Sequence, residues 1–308
     1  MAFVRRFPDA AIKELEATDL FRECLRPDIV ERSRGRIDRG RDVFPAVRNG
    51  RMDFYYKGGK LFSYSKRSGF TTHHKYASVI RGDSRRPYVT DKNFHAIKTF
   101  KEGYERIKEN CSHYSGVEAQ GISEVYGKFS CAKNHRSNTV VVLDIEISLR
   151  RDGEGKEAEP GTTARANSDR IDLLFLDTES GILRFFEAKD YSNDEIRAKQ
   201  GYEPRIVKQM LRYEKQLDRV SEEILEGYQA YVEVINKLFK PEPPLPTPLA
   251  VDPIPRLLIF GFDMEQQEKL KLEVKRLEEE YGHSIYHIGN IKQVNQGTLF
   301  SGGRKGWS

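Results

Sequence analysis

Asp172, Glu187 and Lys189 are the residues whose types and spacing point to chemistry. They fall within Arg170 to Lys189, RIDLLFLDTESGILRFFEAK, where two apolar and aromatic runs, Ile171 to Asp177 and Ile182 to Lys189, flank Thr178-Glu179-Ser180-Gly181. Such a segment predicts a β-hairpin. A symmetric turn sets Thr178 against Gly181, Asp177 against Ile182 and Asp172 against Glu187. Directly opposed residues on antiparallel strands have Cβ atoms roughly 4.5–5.5 Å apart, so two carboxylates meet there, and a hard divalent cation relieves their repulsion. Period-2 alternation puts Glu187 and Lys189 on one face. Two anionic oxygen donors beside one ammonium suit metal-assisted hydrolysis of a phosphodiester.

The Glu-x-Lys spacing occurs three times, and only one copy has this setting. Glu154/Lys156 lies in a Gly- and Glu-rich loop, and Glu273/Lys275 lies in a charged helical run, where residues two apart do not share a face. A structural ion pair at a solvated strand end is the competing account of Glu187/Lys189. Downstream, Ile206, Met210, Leu217, Val220, Ile224 and Tyr228 recur at near-helical spacing, which predicts one long helix from about Arg205 to Phe239. Gln209 and Tyr213 stand four apart on its first turns and therefore share a face. The tripeptide Arg36-Ile37-Asp38 repeats Arg170-Ile171-Asp172, but it has no strand-length apolar run and no Glu-x-Lys after it, so it reads as a basic loop.

Taken together, the acidic strand with Asp172, the strand with Glu187-Ala188-Lys189 and the helix with Gln209-x-x-x-Tyr213 resemble the PD-(D/E)XK nuclease superfamily. The Gln-x-x-x-Tyr element is similar to that of its RecB-like and phage-exonuclease-like branch. The resemblance covers roughly Ser115 to Tyr213, and more loosely the chain to Gly289. It implies an α/β fold with a restriction-endonuclease-like core: a helix, a three-strand antiparallel meander, a helix, then strand-helix-strand. It also implies Mg²⁺ (or Mn²⁺) as cofactor, held by Asp172, Glu187, the Ala188 carbonyl and an acidic residue of the upstream helix. In that family pattern Lys189 orients or helps deprotonate the attacking water and stabilises charge at phosphorus, while Gln209 and Tyr213 position phosphate or nucleophile. The implied partner is nucleic acid, DNA first, in repair, restriction or phage defence, with a homo-oligomer or partner proteins of such a system as further associates. The upstream helix is expected over Gly116 to Gly127 with Val117, Ile122, Val125 and Tyr126 inward. Glu118 is the first choice for its acid and Glu124 the second. Gly121 inside it costs about 1 kcal/mol relative to Ala. Thr139 to Leu149, TVVVLDIEISL, is the expected first strand by its β-branched content, and Asp144 and Glu146 on it read as exposed acids. The alternative, from another class, is a catalytically silent nuclease-fold protein that binds nucleic acid or partner proteins; the intact Asp, Glu, Lys, Gln and Tyr set argues against it.

Charge is unevenly placed along the 308 residues. Residues 1–90 hold 20 Lys and Arg against 11 Asp and Glu, while the rest hold 32 against 36. Basic clusters attract phosphate regardless of sequence. Aromatics interleave this basic part in Phe54 to Tyr64, a hairpin about Gly58-Gly59. Two accounts stand: the aromatics are the core of a small domain with a lysine-rich turn, or the region positions DNA, with Arg34, Arg36, Arg39, Arg41, Lys57 and Lys60 on phosphates. The expected organisation is a basic aromatic-rich α+β region over 1–95, a catalytic core over 96–290 with a Pro-rich connector at 241–255, and a flexible tail over 291–308. Phe94 to about Tyr114 is expected to be helical, and Arg150 to Asn167 a mobile loop. Arg256 to Phe262, Met264 to Tyr281 and Ser284 to Gly289 read as strand, helix and strand, which implies parallel pairing. Cys24, Cys111 and Cys131 form no disulfide framework and no zinc spacing, and no Gly-rich phosphate loop appears. The N-terminal residues lack the apolar core of a signal peptide, and no run approaches 18 apolar residues, so the expectation is a cytoplasmic protein with no membrane partner.

Overall fold

A computed structural model describes residues 3–26, 29–32, 35–38, 43–80, 94–135, 138–150, 168–198, 203–283 and 285–300. The first part is built on a four-stranded antiparallel sheet. Helices α1 (Asp9–Glu16) and α2 (Asp19–Leu25) and the paired strands β1 (Ile29–Arg32) and β2 (Gly35–Asp38) precede it. The sheet runs in chain order through β3 (Phe44–Arg48), β4 (Arg51–Tyr56), β5 (Gly59–Ser65) and β6 (Gly69–Thr71). After α3 (His74–Ala77) and the short pair β7 (Ser78–Ile80) and β8 (Phe94–Ala96), α4 (Tyr104–His113) packs on β5 and β4. Only the second half of the helix expected from Phe94 forms, because Lys101 to Gly103 turn the chain and a Cβ at Gly103 would run into Ile97.

The second part is a mixed sheet with helices packed against it. Helix α5 (Val117–Phe129) leads into β9 (Val140–Arg150), β10 (Ser168–Asp177) and β11 (Ile182–Asp190), an antiparallel meander. Then come α6 (Arg205–Arg219), α7 (Ser221–Phe239), the two-residue β12 (Ala250–Val251), β13 (Arg256–Phe260), α8 (Met264–Tyr281), β14 (Ile285–Ile288) and α9 (Gln296–Phe300). The sheet order is β14-β13-β11-β10-β9, with β11, β13 and β14 parallel, as a strand-helix-strand unit requires. The fold is therefore α/β. Among the described residues no helix is long and apolar enough to cross a membrane.

Several expectations need correction. The long helix over 205–239 is two helices broken at Val220, since its halves bury their faces on different surfaces: Tyr213 donates to Arg170 O on β10, while Tyr228 and Tyr231 reach Asp144 on β9 and Pro45 on β3. The aromatic hairpin turns at Lys57-Gly58, one residue earlier than expected, because Tyr56 pairs with Gly59. Both loop residues have positive φ, 46° and 81°, the two-residue turn that matches strand twist. Phe54, Tyr55, Tyr56, Phe62 and Tyr64 are all buried, so they are core and offer no stacking surface. Residues 35–38 form β2 rather than a loop. Residues 291–300, expected in a flexible tail, fold back with Val294 and Leu299 fully buried and with Gln296 Oε1 accepting from Thr139 N–H at 3.0 Å. The loop expected to be mobile lies outside the described residues from 151 to 167, and so does 301–308.

One contiguous apolar core runs from Phe7 to Leu299. The two sheets are pinned together within it by Arg48 of β3. Its guanidinium donates to Asp144 Oδ1 at 2.6 Å and to Ile145 O at 2.7 Å on β9. Helix α5 joins both parts as well: Tyr126 OH accepts from Gly58 N–H at 2.8 Å, and a Cβ at Gly58 would meet Ala119.

Candidate active site

The turn at the tip of the β10–β11 hairpin sets the register. Asp177 Oδ1 accepts from the N–H of Glu179 and of Ser180, both at 3.1 Å, and Gly181, at φ 70°, donates its N–H to Asp177 O at 2.8 Å. Leu176 then pairs with Leu183 and Leu173 with Phe186. Carried one pair further, this register puts Asp172 opposite Glu187, as the symmetric turn predicts. Ala188 N–H donates to Asp172 Oδ2 at 2.9 Å, which locks the carboxylate toward the β11 strand.

Lys189 stands at the centre of the cluster. Its Nζ is 2.8 Å from Glu187 Oε1, 3.4 Å from Glu195 Oε2 and 3.8 Å from Glu118 Oε1, and the side chain is 8% exposed. Glu118 comes from the first turn of α5. Its Oε2 accepts from Asp190 N–H at 3.2 Å and from Asn193 Nδ2 at 3.0 Å. Helix α5 lies low enough for this because Gly121 rests on the Phe260 ring, where a Cβ would clash. The glycine that weakens the helix locally is thus the condition for its close approach. Glu195 arrives on a short 3-10 turn, Asp194–Ile196, capped by Asn193 Oδ1, which accepts from Glu195 N–H at 2.9 Å. Asn193 therefore holds Glu118 through its amide nitrogen and Glu195 through its amide oxygen.

The electrostatics follow from four carboxylates around one buried ammonium, of which Glu187 is buried and Asp172, Glu118 and Glu195 are half-buried. Burial pushes Asp172 up to about 6, with Glu118 adding to it and Lys189 and the Ala188 N–H opposing it. Burial first and Asp172 second push Glu187 well above the usual carboxylate range. For Lys189, burial works against the charge, but Glu187 and Asp172 outweigh it and hold the ammonium firmly charged. Glu187 Oε2 is buried and has no hydrogen-bond partner. A buried carboxylate oxygen left in that state costs about 1–3 kcal/mol or more. Among the described residues no three Asp, Glu, His or Cys side chains are drawn into a ready ligand cage; the lysine stands among the acids. The donors themselves are hard oxygens, and one of them points nowhere, so the set fits a hard divalent ion of the Mg²⁺ class.

Helix α6 supplies the remaining polar groups. Gln209 Nε2 donates to Glu187 Oε1 at 2.8 Å and to Tyr213 OH at 2.6 Å, and that hydroxyl donates to Arg170 O at 2.7 Å. Tyr213 is therefore engaged on backbone and acts through Gln209. The helix is fixed against β10 by a clamp one turn on: Asp169, 3% exposed, accepts from Arg212 Nε at 2.7 Å and Nη2 at 3.1 Å and from Gln216 Nε2 at 2.8 Å. A bidentate guanidinium–carboxylate pair of this kind, with the carboxylate buried and the guanidinium half-exposed, is directional as well as attractive.

Of the residues singled out from the sequence, Asp172, Glu187, Ala188, Lys189, Gln209, Tyr213 and Glu118 come together. Glu124 is exposed and stands apart. Val117, expected inward on α5, is 69% exposed. Asp144 is not an exposed acid: it is wholly buried and bound by Arg5, Arg48 and Tyr228. Glu146 sits at a left-handed φ of 49° beside Arg170. Lys57 and Lys60 are exposed on the aromatic hairpin; Arg34, Arg39 and Arg41 lie outside the described residues, as does the Arg36 side chain. Glu195 and Asn193 were not foreseen. The only signal for them was the run Ser-Asn-Asp-Glu directly after the Glu-x-Lys strand, which has the composition of a capped turn. In comparisons with protein-family models, curated proteins and solved structures, no family model, curated protein or solved structure matched the chain.

Proposed function

We propose that the chain is a Mg²⁺-dependent nuclease of the PD-(D/E)XK type, hydrolysing phosphodiester bonds of nucleic acid, with DNA as the first substrate to try. The observation that carries this reading is Glu187 Oε2, a buried acceptor with no partner, next to Asp172 and under a lysine shared by three glutamates. The order of helix, antiparallel meander, helix and parallel strand-helix-strand supports it, being the order that the resemblance implies for a restriction-endonuclease-like core.

Asp172, Glu187, Glu118 and the Ala188 carbonyl would hold Mg²⁺ (or Mn²⁺). When bound, such an ion polarises the phosphate and acidifies water. The protein's own groups do the rest. Lys189, kept charged by its neighbours, orients the attacking water and offsets the charge that builds on the phosphorane oxygens. Gln209 fixes the Glu187 carboxylate by donating to Oε1 and leaves Oε2 free. Tyr213 holds Gln209, and Asn193 fixes Glu118 and Glu195 relative to one another.

The test is to incubate the protein with circular and linear DNA, each with Mg²⁺ or with EDTA. Cleavage that needs the ion is the expected result. Retention of DNA in Ca²⁺ without any cleavage in Mg²⁺ or Mn²⁺ would overturn the enzymatic reading in favour of a binding protein.

A further inference from the structure

A cleft of about 700 Å³ opens between the four-stranded sheet, the start of α5 and strands β9 and β10, and it is lined by Arg51, Lys60, Lys75, Tyr114, Glu146 and Arg170 among others. Arg5 and Arg48 also reach it, but these two are bound to Asp144. Among the described residues two acids, Asp53 and Glu146, line the cleft against six cations. Arg51 and Lys60 lie 3.2 and 3.9 Å from Asp53 and Arg170 lies 3.7 Å from Glu146, so these acids, with Asp144 under Arg5 and Arg48, offset three of the six charges and the balance of the lining stays positive.

The cleft and the metal site share their walls. Arg170 and Asp172 are two apart on β10 and so face the same side, and Arg170 also lines the mouth that Gln209, Tyr213 and Glu195 form. On α5, Ala119 borders the cleft and its neighbour Glu118 reaches Lys189. The first turn of α5 opens toward the cleft at Ser115 and Gly116, and Gly116 makes no side-chain cap. The free N–H groups of a 13-residue helix add a further attraction for phosphate there.

Tyr114 distinguishes the kind of polyanion. It is 56% exposed, an unusual state for an aromatic among the described residues, and the other cleft tyrosines, Tyr55 and Tyr76, are buried. Lys75 Nζ lies 4.7 Å from its ring centroid, so a cation and a π-face are presented together. That pairing is what an unpaired base and its phosphate use: stacking contributes about 1–3 kcal/mol per base, and it is available only where bases are not already paired. A space of about 700 Å³ takes a few nucleotides of one strand, and a duplex, whose bases are already stacked and paired, offers Tyr114 no base face.

We propose that this cleft binds a single strand of nucleic acid, with a base on Tyr114 and phosphates on Arg51, Lys60, Lys75 and the α5 terminus, and passes it by Arg170 to the metal site. Its direction toward hydrolysis rests on the nuclease reading; the binding itself does not.

The experiment measures binding of oligo(dT), oligo(rU) and a duplex in Ca²⁺ as a function of salt, for the intact chain and for Tyr114→Ala and Lys75→Ala, both on exposed or half-exposed side chains whose contact with the core is the Tyr76 ring, with melting temperature as the control for folding. In parallel, hydrolysis of bis(p-nitrophenyl) phosphate with Mn²⁺ reads the metal site alone. The expected result is single strand bound in preference to duplex, an affinity loss of about tenfold for Tyr114→Ala, and for Lys75→Ala a salt slope lowered by about 0.7. The two oligonucleotides separate the DNA from the RNA source. Unchanged single-strand affinity in both variants, or duplex bound as tightly as single strand, overturns the proposal. Loss of affinity in the variants with no hydrolysis of the small diester leaves the cleft standing and removes the nuclease reading instead.

Discussion

Two buried carboxylate clusters sit on the same sheet and are finished differently. On β9, Asp144 is wholly buried and every oxygen is used: Oδ1 accepts from Arg48 Nη1 and Ile145 N–H, and Oδ2 from Arg5 Nε and Tyr228 OH. On β10 and β11, Asp172 is near enough to Glu187 to push its pKa up, one lysine serves three glutamates, and Glu187 Oε2 has no hydrogen-bond partner. The first cluster is complete within the chain, and of the two guanidiniums it fixes, Arg48 ties the four-stranded sheet to the mixed one and Arg5 ties down the segment ahead of α1. The second carries more negative charge than its own residues neutralise. A fold tolerates a buried carboxylate when its hydrogen bonds are satisfied; Glu214, Glu273 and Glu280 also have a buried oxygen with no hydrogen-bond partner, and what sets Glu187 apart is that its unpartnered oxygen sits among Asp172, Glu118 and Lys189.

The comparison breaks most visibly if substitutions are exchanged between the clusters. Lys189→Ala is expected to lower cleavage about 10²- to 10⁴-fold and, because Glu187 is left beside Asp172 without its cation, to lower the melting temperature in EDTA by an amount that Ca²⁺ largely restores. Because the lysine is a cation and cannot ligate the ion, the loss falls on turnover, and substrate binding in Ca²⁺ is retained. Asp144→Ala is expected to do the reverse: it strands Arg5 and Arg48, costs about 3–5 kcal/mol in a denaturant titration, and leaves the specific activity of the folded fraction in place. Full activity in Lys189→Ala would make Glu187-x-Lys189 an ordinary ion pair, and the nuclease proposal would be withdrawn.

A smaller effect sharpens the contrast through pH. Asp172 has its folded pKa raised to about 6 from 3.8, so the folded chain binds this proton more tightly than the unfolded one. The sign follows: its ionisation destabilises the ion-free fold at pH above about 6, and the cost is relieved as pH falls toward 3.8. Asp172→Asn, which mimics the protonated form, is thus expected to melt above the intact chain in EDTA at about pH 7.5, with the gap closing by about pH 4. Added Ca²⁺ should raise the melting temperature of the intact chain at the higher pH and not that of the variant. A variant that melts below the intact chain in EDTA would mean that Asp172 is satisfied internally, like Asp144.

What could be read from the sequence divides along the same line. The Asp172–Glu187 pairing was legible because a tight turn converts a residue count into a register, and Gln209 with Tyr213 was legible because four residues make one helical turn. Helix α5 was placed well, although Gly121 argued against it locally; the reason for that glycine, the Phe260 ring beneath it, is a contact across 139 positions that no local pattern encodes. Glu195 and Asn193 enter through an irregular turn, which has no periodicity to betray its direction. Asp144 reads as exposed for a related cause. Its partners, Arg5, Arg48 and Tyr228, lie 139, 96 and 84 residues away, and an acid on a strand reads as exposed until those cations are placed over it. The aromatic hairpin shows the converse: its residue types suit a stacking surface and a core equally, and only burial decides.

The smallest expected effects concern the two tyrosines that each cluster borrows from a helix. Tyr228→Phe removes one of four hydrogen bonds to Asp144 Oδ1 and Oδ2 and is expected to cost about 1.5–3 kcal/mol in stability, a bond to a charged acceptor, with cleavage unchanged. Tyr213→Phe removes a neutral bond to Arg170 O and the acceptor of Gln209, so its stability cost is nearer about 1 kcal/mol. Its larger consequence is catalytic: Gln209 loses the partner that aims it at Glu187, and turnover should fall severalfold while the Michaelis constant holds. A double-mutant cycle separates this from general loosening. Tyr213→Phe with Gln209→Ala should be non-additive in turnover, because both act on Glu187 through the same bond, whereas Tyr213→Phe with Tyr228→Phe should be additive in stability within about 0.5 kcal/mol, the behaviour of sites with no shared partner. Additivity of the first pair would show that Tyr213 does not act through Gln209, and coupling of the second pair would show that the two clusters are not independent.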